Sequence, residues 1–594
     1  MTSDTPGSHD AEPGAGRSPA ASRLALLSLS YGLVALAAIL VARLAAAAGW
    51  VAPRWLPPLV FLVVAGYPLA LAAAWLRGGS EPREARGGAG AVPAAGLVGT
   101  GALVIAAWLG LRGVAPTRSS PEPPIATGPP VVAVLPLIEL ERRGDRYYAD
   151  GLTDELASGI AAVSGLELWG RESARGFLDV NRDAAALGAR LGATAVLDGT
   201  VRRSAGRLRL SVLLLESESG EPLWSLSRDT TPDGFFTLRD SIAAGVAAAF
   251  GLEVDERTRS RWEHRRTDPS TLDLYMLGRF QWASGPNGDL VEAASYYGLA
   301  LESDTTFVPA WIALAETFAT LPRFTRFPPE RVRRDGAAAA RTALRLDPQN
   351  PAAHAALGEI LDLYEWDWAG ARSHLERARS LAPGDASSFA ALCELSIALG
   401  ELEAAGSACR SARERDPLAF RPAWLAADLA RAEGRREEGA AILDSLAAAH
   451  PDFEPVAAER AIAHLAPGDT ARSRELLVGW FSLLGPAALA DTLADALSEE
   501  APGAAGATGP SAGVRRAIER VSAELDPDPM HFAALAASYG AIDLAAASLE
   551  VALADRMPGA IFAGVMPVYA PLRERGGVRL RLTEAGLPTE ATDD

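Results

Sequence analysis

The chain has 594 residues and a formal net charge of −18, from 74 acidic against 56 basic residues. That balance argues against a nucleic-acid-binding surface, and the length is enough for several domains. Every basic residue is Arg or His; without lysine, phosphate loops of the Gly-Lys-Ser/Thr type, kinase catalytic lysines and Schiff-base chemistry are excluded.

Residues 1–22 form a Gly-, Pro- and Ser-rich tail, expected to be disordered. Residues 23–112 read as a membrane segment with three apolar runs, at 24–49, 55–76 and 94–111. Arg43 lies near the end of the first run, where it can snorkel, and Trp55 and Trp75 bracket the second as interfacial aromatics. A cleaved signal peptide fits the first run poorly, because it is too long and further runs follow. The arginine distribution leans toward a cytoplasmic N-terminus, so three spans place the rest of the chain on the periplasmic side of a bacterial inner membrane. Residues 113–130, rich in Pro, Ser and Thr, read as an extended linker.

From 131 to 254 the pattern is that of a small α/β domain. Short strands are expected at Val131–Leu137, Leu166–Trp169, Thr194–Arg203, Leu208–Ser217 and Pro222–Ser227, with Ser204-Ala205-Gly206 and Gly220 making turns. Helices are expected at Ala149–Val163, with Thr153 as a cap, at Asp183–Leu191, with Asp183 as a cap, and at about Gly234–Phe250. Strands alternating with helices, then a hairpin, suggest a sheet covered by helices on one face.

Four prolines then set a period. Pro348, Pro383, Pro417 and Pro451 are 35, 34 and 34 residues apart, the length of a tetratricopeptide repeat, a helix–turn–helix unit of about 34 residues. Position 8 of each unit should be small because the paired helices pack closely only where side chains are short. It is Ala315, Gly358 and Cys393 in three successive units, and Gly278 in a more divergent one before them. The repeats span 271–451, and the second carries an insertion near Pro322–Pro329. Residues 452–498 read as divergent helical repeats, 499–513 as an Ala/Gly/Pro linker, and 514–594 as a helical cap to an all-α solenoid.

Several residues invite a chemical reading and fit a structural one better. Asp150, Thr153, Asp154 and Glu155 could be a metal or acid/base cluster, but Asp and Thr at a helix N-terminus cap it and offset its dipole. Ser511 lies in the letters of a nucleophile elbow, Gly-x-Ser-x-Gly, with no strand before it. Cys393 and Cys409, the two cysteines, fall at core positions of one repeat and face across a helix hairpin; they could pair if oxidised. The histidines are scattered, without metal-ligand spacing. No catalytic, cofactor or metal residue is assigned.

The motifs AVLPL at 133–137, YADGLTDEL at 148–156, VLDGTVRR at 196–203 and GEPLWS at 220–225 resemble the TolB-like N-terminal domain, which in bacteria commonly precedes tetratricopeptide repeats. LYMLGRFQW at 274–282 and WDWAGA at 366–371 resemble the repeats of those proteins, as more loosely does the stretch 569–588. The resemblance covers about 131–451 and implies a signalling or regulatory role. Members often carry a cyclase, kinase or winged-helix module at the N-terminus; the 22-residue tail has no room for one, so output would pass through another protein.

Position 9 of the first helix usually faces the groove in tetratricopeptide families. Here it is Glu316, Glu359, Glu394 and Asp428 in successive repeats, with Trp424 at groove-facing position 5 of the last. Carboxylates beside an aromatic would suit a basic or Arg-containing peptide; a solvated face of an acidic protein would also look like this. The expected protein is a non-enzymatic, membrane-anchored scaffold or sensor that binds a protein or peptide through the solenoid. Two further readings stay open: a regulator acting in trans on a membrane cyclase, kinase or transporter, and a ligand-binding or enzymatic activity in the α/β domain.

Overall fold

The computed structural model describes residues 129–589, apart from 141–145, 170–185, 189–191, 205, 257, 260–266, 284–288, 466–469 and 503–508. Val131 opens a run of β-branched residues that forms strand β1 (Val131–Val134), followed by β2 (Ile138–Glu139), helix α1 (Arg146–Ala161), β3 (Glu167–Trp169), β4 (Ala195–Ser204), β5 (Arg207–Glu216), β6 (Pro222–Thr230) and helix α2 (Phe235–Ala249). The sheet order is β3-β1-β4-β5-β6, with β2 pairing β4. Strands β3, β1 and β4 are parallel, and β4, β5 and β6 are antiparallel. Alternation along β1 sends Val132 and Val134 into a core with α1 and α2, and Ala133 into a small cluster with Leu187 on the opposite face.

Thr153 does not cap a helix. It sits mid-helix in α1, where its hydroxyl donates to Ala149 O at 2.7 Å and accepts from Leu137 N at 2.9 Å, tying α1 to the link between β1 and β2. The expected cap at Asp183 lies outside the described residues.

Helix pairs follow. The first pair is α3 (Pro269–Ala283) with α4 (Leu290–Ser303), then α5 (Val308–Phe324) with α6 (Ala337–Leu346), α7 (Pro351–Ile360) with α8 (Trp368–Leu381), α9 (Ala386–Ala398) with α10 (Leu402–Arg415), and α11 (Phe420–Ala432) with α12 (Arg436–Ala449). Beyond them come α13 (Glu454–Ala463), α14 (Thr470–Leu484), α15 (Ala487–Ser498), α16 (Ala512–Arg520), α17 (Pro529–Ser538), α18 (Ile542–Asp555) and α19 (Gly576–Ala585). Position 8 packs on position 24 along the array. A Cβ on Gly358 would stand 2.7 Å from Leu375 Cγ, Gly278 abuts the Tyr297 ring, Ala427 and Leu443 share one cluster, and Cys393 is disulfide-bonded to Cys409. The body is a tetratricopeptide-like helical solenoid.

The solenoid and the sheet share a core. Leu272, Tyr275 and Met276 of α3 pack into the cluster that holds α1 and α2. The array also turns back on itself. Ile561 and Phe562 lie in a turn that packs against residues 361–365 and α9, and Trp368 Nε1 donates to Ala585 O at 2.8 Å across 217 residues.

The expected fold class is corrected in one respect. No helix among the described residues is long and apolar enough to cross a membrane, and the runs at 24–49, 55–76 and 94–111 lie outside those residues. The transmembrane part of the fold class and the multi-pass inner-membrane location are withdrawn.

Candidate functional site

The first helices of successive pairs, α5, α7, α9 and α11, lie side by side and bring their carboxylates onto one inner face. The structure places Glu359 and Glu394 together and gives both the same partner. Arg421 of α11 donates from Nη1 to Glu359 Oε1 at 2.6 Å and from Nη2 to Glu394 Oε2 at 2.7 Å. Arg323, at the end of α5, donates from Nη2 to both oxygens of Glu394 at 2.7 Å. Glu394 is 1% exposed. Burial alone would raise its carboxyl, but the two guanidiniums hold it below the usual range.

The other positions of the ladder are also matched within the chain. Glu316 lies 3.6 Å from Arg279, which donates to Asp154 Oδ2 at 3.1 Å. Asp428 lies 3.5 Å from Arg431, which donates to Glu459 at 2.5 Å. Trp424 donates from Nε1 to Glu459 Oε2 at 3.0 Å and packs edge-on against Phe420 and Phe453. The ladder seen in the sequence is therefore an ion-pair network, buried at Glu394 and Asp428 and half-buried at Glu316 and Glu359, and arginines of the same chain stand where a partner's were expected.

One member of this network has no match. Asp362, in the turn of π-helix at Leu361–Glu365, is 1% exposed, and neither oxygen has a hydrogen-bond partner among the described residues. Burial, then the Glu394 carboxylate, pushes its carboxyl well above the ordinary value and favours the protonated form. Asp428 is displaced in the same direction by burial and then Glu459.

The acidic residues of α1 join the sheet to the solenoid. Glu155 accepts from Arg239 Nη1 at 2.9 Å and from Tyr275 Oη at 2.5 Å, and Arg239 is itself 1% exposed. Ser511 caps α16, accepting from Val514 N at 3.3 Å.

Two histidines that the sequence leaves 20 residues apart meet between α7 and α8, with His354 Nδ1 and His374 Nδ1 2.9 Å apart. Positions 4 and 23 of one repeat carry that signal, which spacing motifs for metals do not contain. Burial lowers both from their ordinary values. They line a shallow groove of about 790 Å³ with Trp368, Arg372, Glu376 and Arg377. No group of three or more His, Cys, Asp or Glu among the described residues could hold a metal ion.

No protein-family model matches the chain. It is similar to "Putative adenylate cyclase 3" of Rhizobium meliloti (strain 1021), 28% identical over 166 residues, which is 28% of this chain and 28% of that protein. The chain thus matches just over a quarter of that curated relative's length. Among solved structures it is similar to a thermophilic TPR protein of Thermus thermophilus (21% identity, covering 32% of this chain and 92% of that one, TM-score 0.23). It is also similar to a tetratricopeptide repeat protein from Parabacteroides merdae ATCC 43184 (14%, 51% and 99%, 0.25) and to yeast Tom70 (14%, 59% and 82%, 0.30). At these scores the solenoid assignment rests on the helix pairs of this chain itself.

Proposed function

We propose that the protein is a non-enzymatic interaction scaffold in which the helical repeats present a surface to a protein or peptide partner. The observation that carries this reading is the inner face of α5, α7, α9 and α11, where acidic side chains and the aromatics Phe420, Trp424 and Phe453 stand together on a rigid array. Its carboxylates are held by Arg279, Arg323, Arg421 and Arg431, so a partner engages them by exchanging with arginines of the chain, through charge-assisted hydrogen bonds and ring contacts. The α/β part, whose motifs resemble the TolB-like domain, serves as a second recognition unit or a spacer fused to the first repeat. Glu316, Glu359, Glu394, Asp428 and Trp424 are the residues of the proposed binding face.

A second reading is favoured by the 166-residue likeness to a protein named as an adenylate cyclase: a signalling regulator that acts in trans on a cyclase. Cross-linking in the source cell, followed by titration of each purified, identified partner onto the full chain, tests the scaffold reading. It predicts a partner that binds with micromolar or tighter affinity and no turnover of ATP by the chain alone. Cyclic AMP formation by the purified chain, or the absence of any partner that binds again in purified form, would count against it.

A further inference from the structure

The insertion in the second repeat is what fills the inner face. Helix α5 runs for 17 residues, where α9 and α11 run for 13. Its extra turn carries Arg323 and Phe324 onto the acidic face. Arg323 reaches Glu394, 71 residues away, and Phe324 lies against Phe453 with ring centroids 5.0 Å apart, in the cluster of Phe420 and Trp424. The contact has the form of peptide recognition, a guanidinium on a carboxylate with the next side chain against an aromatic ring.

We infer that the Arg323–Phe324 turn is a tethered ligand, and that the partner of this face is a protein segment with an arginine followed by an aromatic residue, which binds by displacing it. The inference rests on the scaffold reading and names the partner's chemistry.

Three further observations support it. Among the described residues Glu359 and Glu394 pair with two guanidiniums, Arg323 and Arg421, and the Asp362 oxygens have no hydrogen-bond partner. With Asp362 protonated, Glu359 and Glu394 match Arg323 and Arg421 one for one, so withdrawing Arg323 leaves a net negative charge and the vacated position selects a cation. Pro322 lies inside the last turn of α5 and has no N–H to give, so that turn lacks one helix bond. Beyond it, Phe327 packs on Phe318 with ring centroids 5.7 Å apart, and Arg326 pairs with Asp526, whose side chains are 66% and 77% exposed. Exposed pairs of this kind contribute little. The turn is thus seated through two side chains, is one helix bond short at Pro322, and is followed by an exposed ion pair.

Displacement makes affinity depend on the fraction of molecules with the face open. The probe is a fluorescein-labelled peptide of residues 321–329, Leu-Pro-Arg-Phe-Thr-Arg-Phe-Pro-Pro, titrated with the full chain. The Arg323→Ala/Phe324→Ala chain should bind it at least about tenfold more tightly than the wild type, and adding Glu394→Gln should remove the gain. Equal affinities, or a gain that survives Glu394→Gln, would overturn the inference. If the double variant does not fold, hydrogen exchange on the wild type decides. Saturating peptide should speed exchange at 321–328, and unchanged exchange overturns the inference. A purified partner that binds wild type and variant equally, and that the peptide does not compete away, overturns the tethered ligand while leaving the scaffold reading in place.

Discussion

Arg323 and Glu394 are 71 residues apart in the chain, yet one guanidinium nitrogen lies 2.7 Å from both carboxylate oxygens. Because Arg421 binds the same carboxylate, Glu394 holds three helices together: the end of α5, α9 and α11. Removing one partner of a buried charge pair costs about 3–5 kcal/mol, since the other charge stays buried without a match. Glu394→Gln should lower unfolding stability by about that much, read from urea denaturation of the full chain. A loss under ~1 kcal/mol, the range of exposed pairs, would show that the network is solvated.

Asp362 gives the pH dependence a sign. Its folded value is raised, so between the unfolded value of about 3.9 and the folded one the native state binds more protons than the unfolded state. Its contribution is complete below that window and is lost as pH rises through it. Glu394 and Glu359 reinforce the shift, and Arg323 and Arg421 oppose it. Asp362→Asn should flatten the fall of stability with rising pH and make the chain more stable at pH 7. Denaturation curves at several pH values would show this; a variant less stable than wild type at pH 7 would contradict it.

The disulfide joins Cys393 to Cys409, 16 residues apart, between α9 and α10. Closing a loop of about 15 residues is worth about 3 kcal/mol, mostly through the unfolded state. Reduction, or Cys393→Ser with Cys409→Ser, should shift the urea midpoint down by the corresponding amount. Midpoints that coincide with and without reductant would mean the bond contributes nothing to the fold.

Gly358 and Leu375 pack so closely that an added Cβ would stand 2.7 Å from Leu375 Cγ. Gly358→Ala should destabilise by about 1–3 kcal/mol through overpacking, and Leu375→Ala in the same chain should recover part of the loss. Strict additivity of the two changes in thermal unfolding would place them out of contact.

The period and its small residues were legible because they are local. A 34-residue repeat fixes which side chains meet, so Gly278 against Tyr297 and Cys393 against Cys409 follow from spacing alone. The carboxylates at position 9 were legible for the same reason. Their partners were not: Arg323 and Arg421 reach Glu394 and Glu359 from other repeats, and only the packing of α5, α7, α9 and α11 decides that they meet. Thr153 looked like a cap because capping residues and buried side-chain tethers are the same residue types. The approach of His354 to His374 left no motif, since each sits on a different helix.

The central claim is that the inner face is held shut by Arg323 on Glu394. A double-mutant cycle in the full chain measures it: Arg323→Ala, Glu394→Gln, and both together, each unfolded in urea. We predict a coupling of about 2 kcal/mol, within the range found for contacting residues. A coupling within about 0.3–0.5 kcal/mol of zero, the limit for independent sites, would mean that the turn does not close this face.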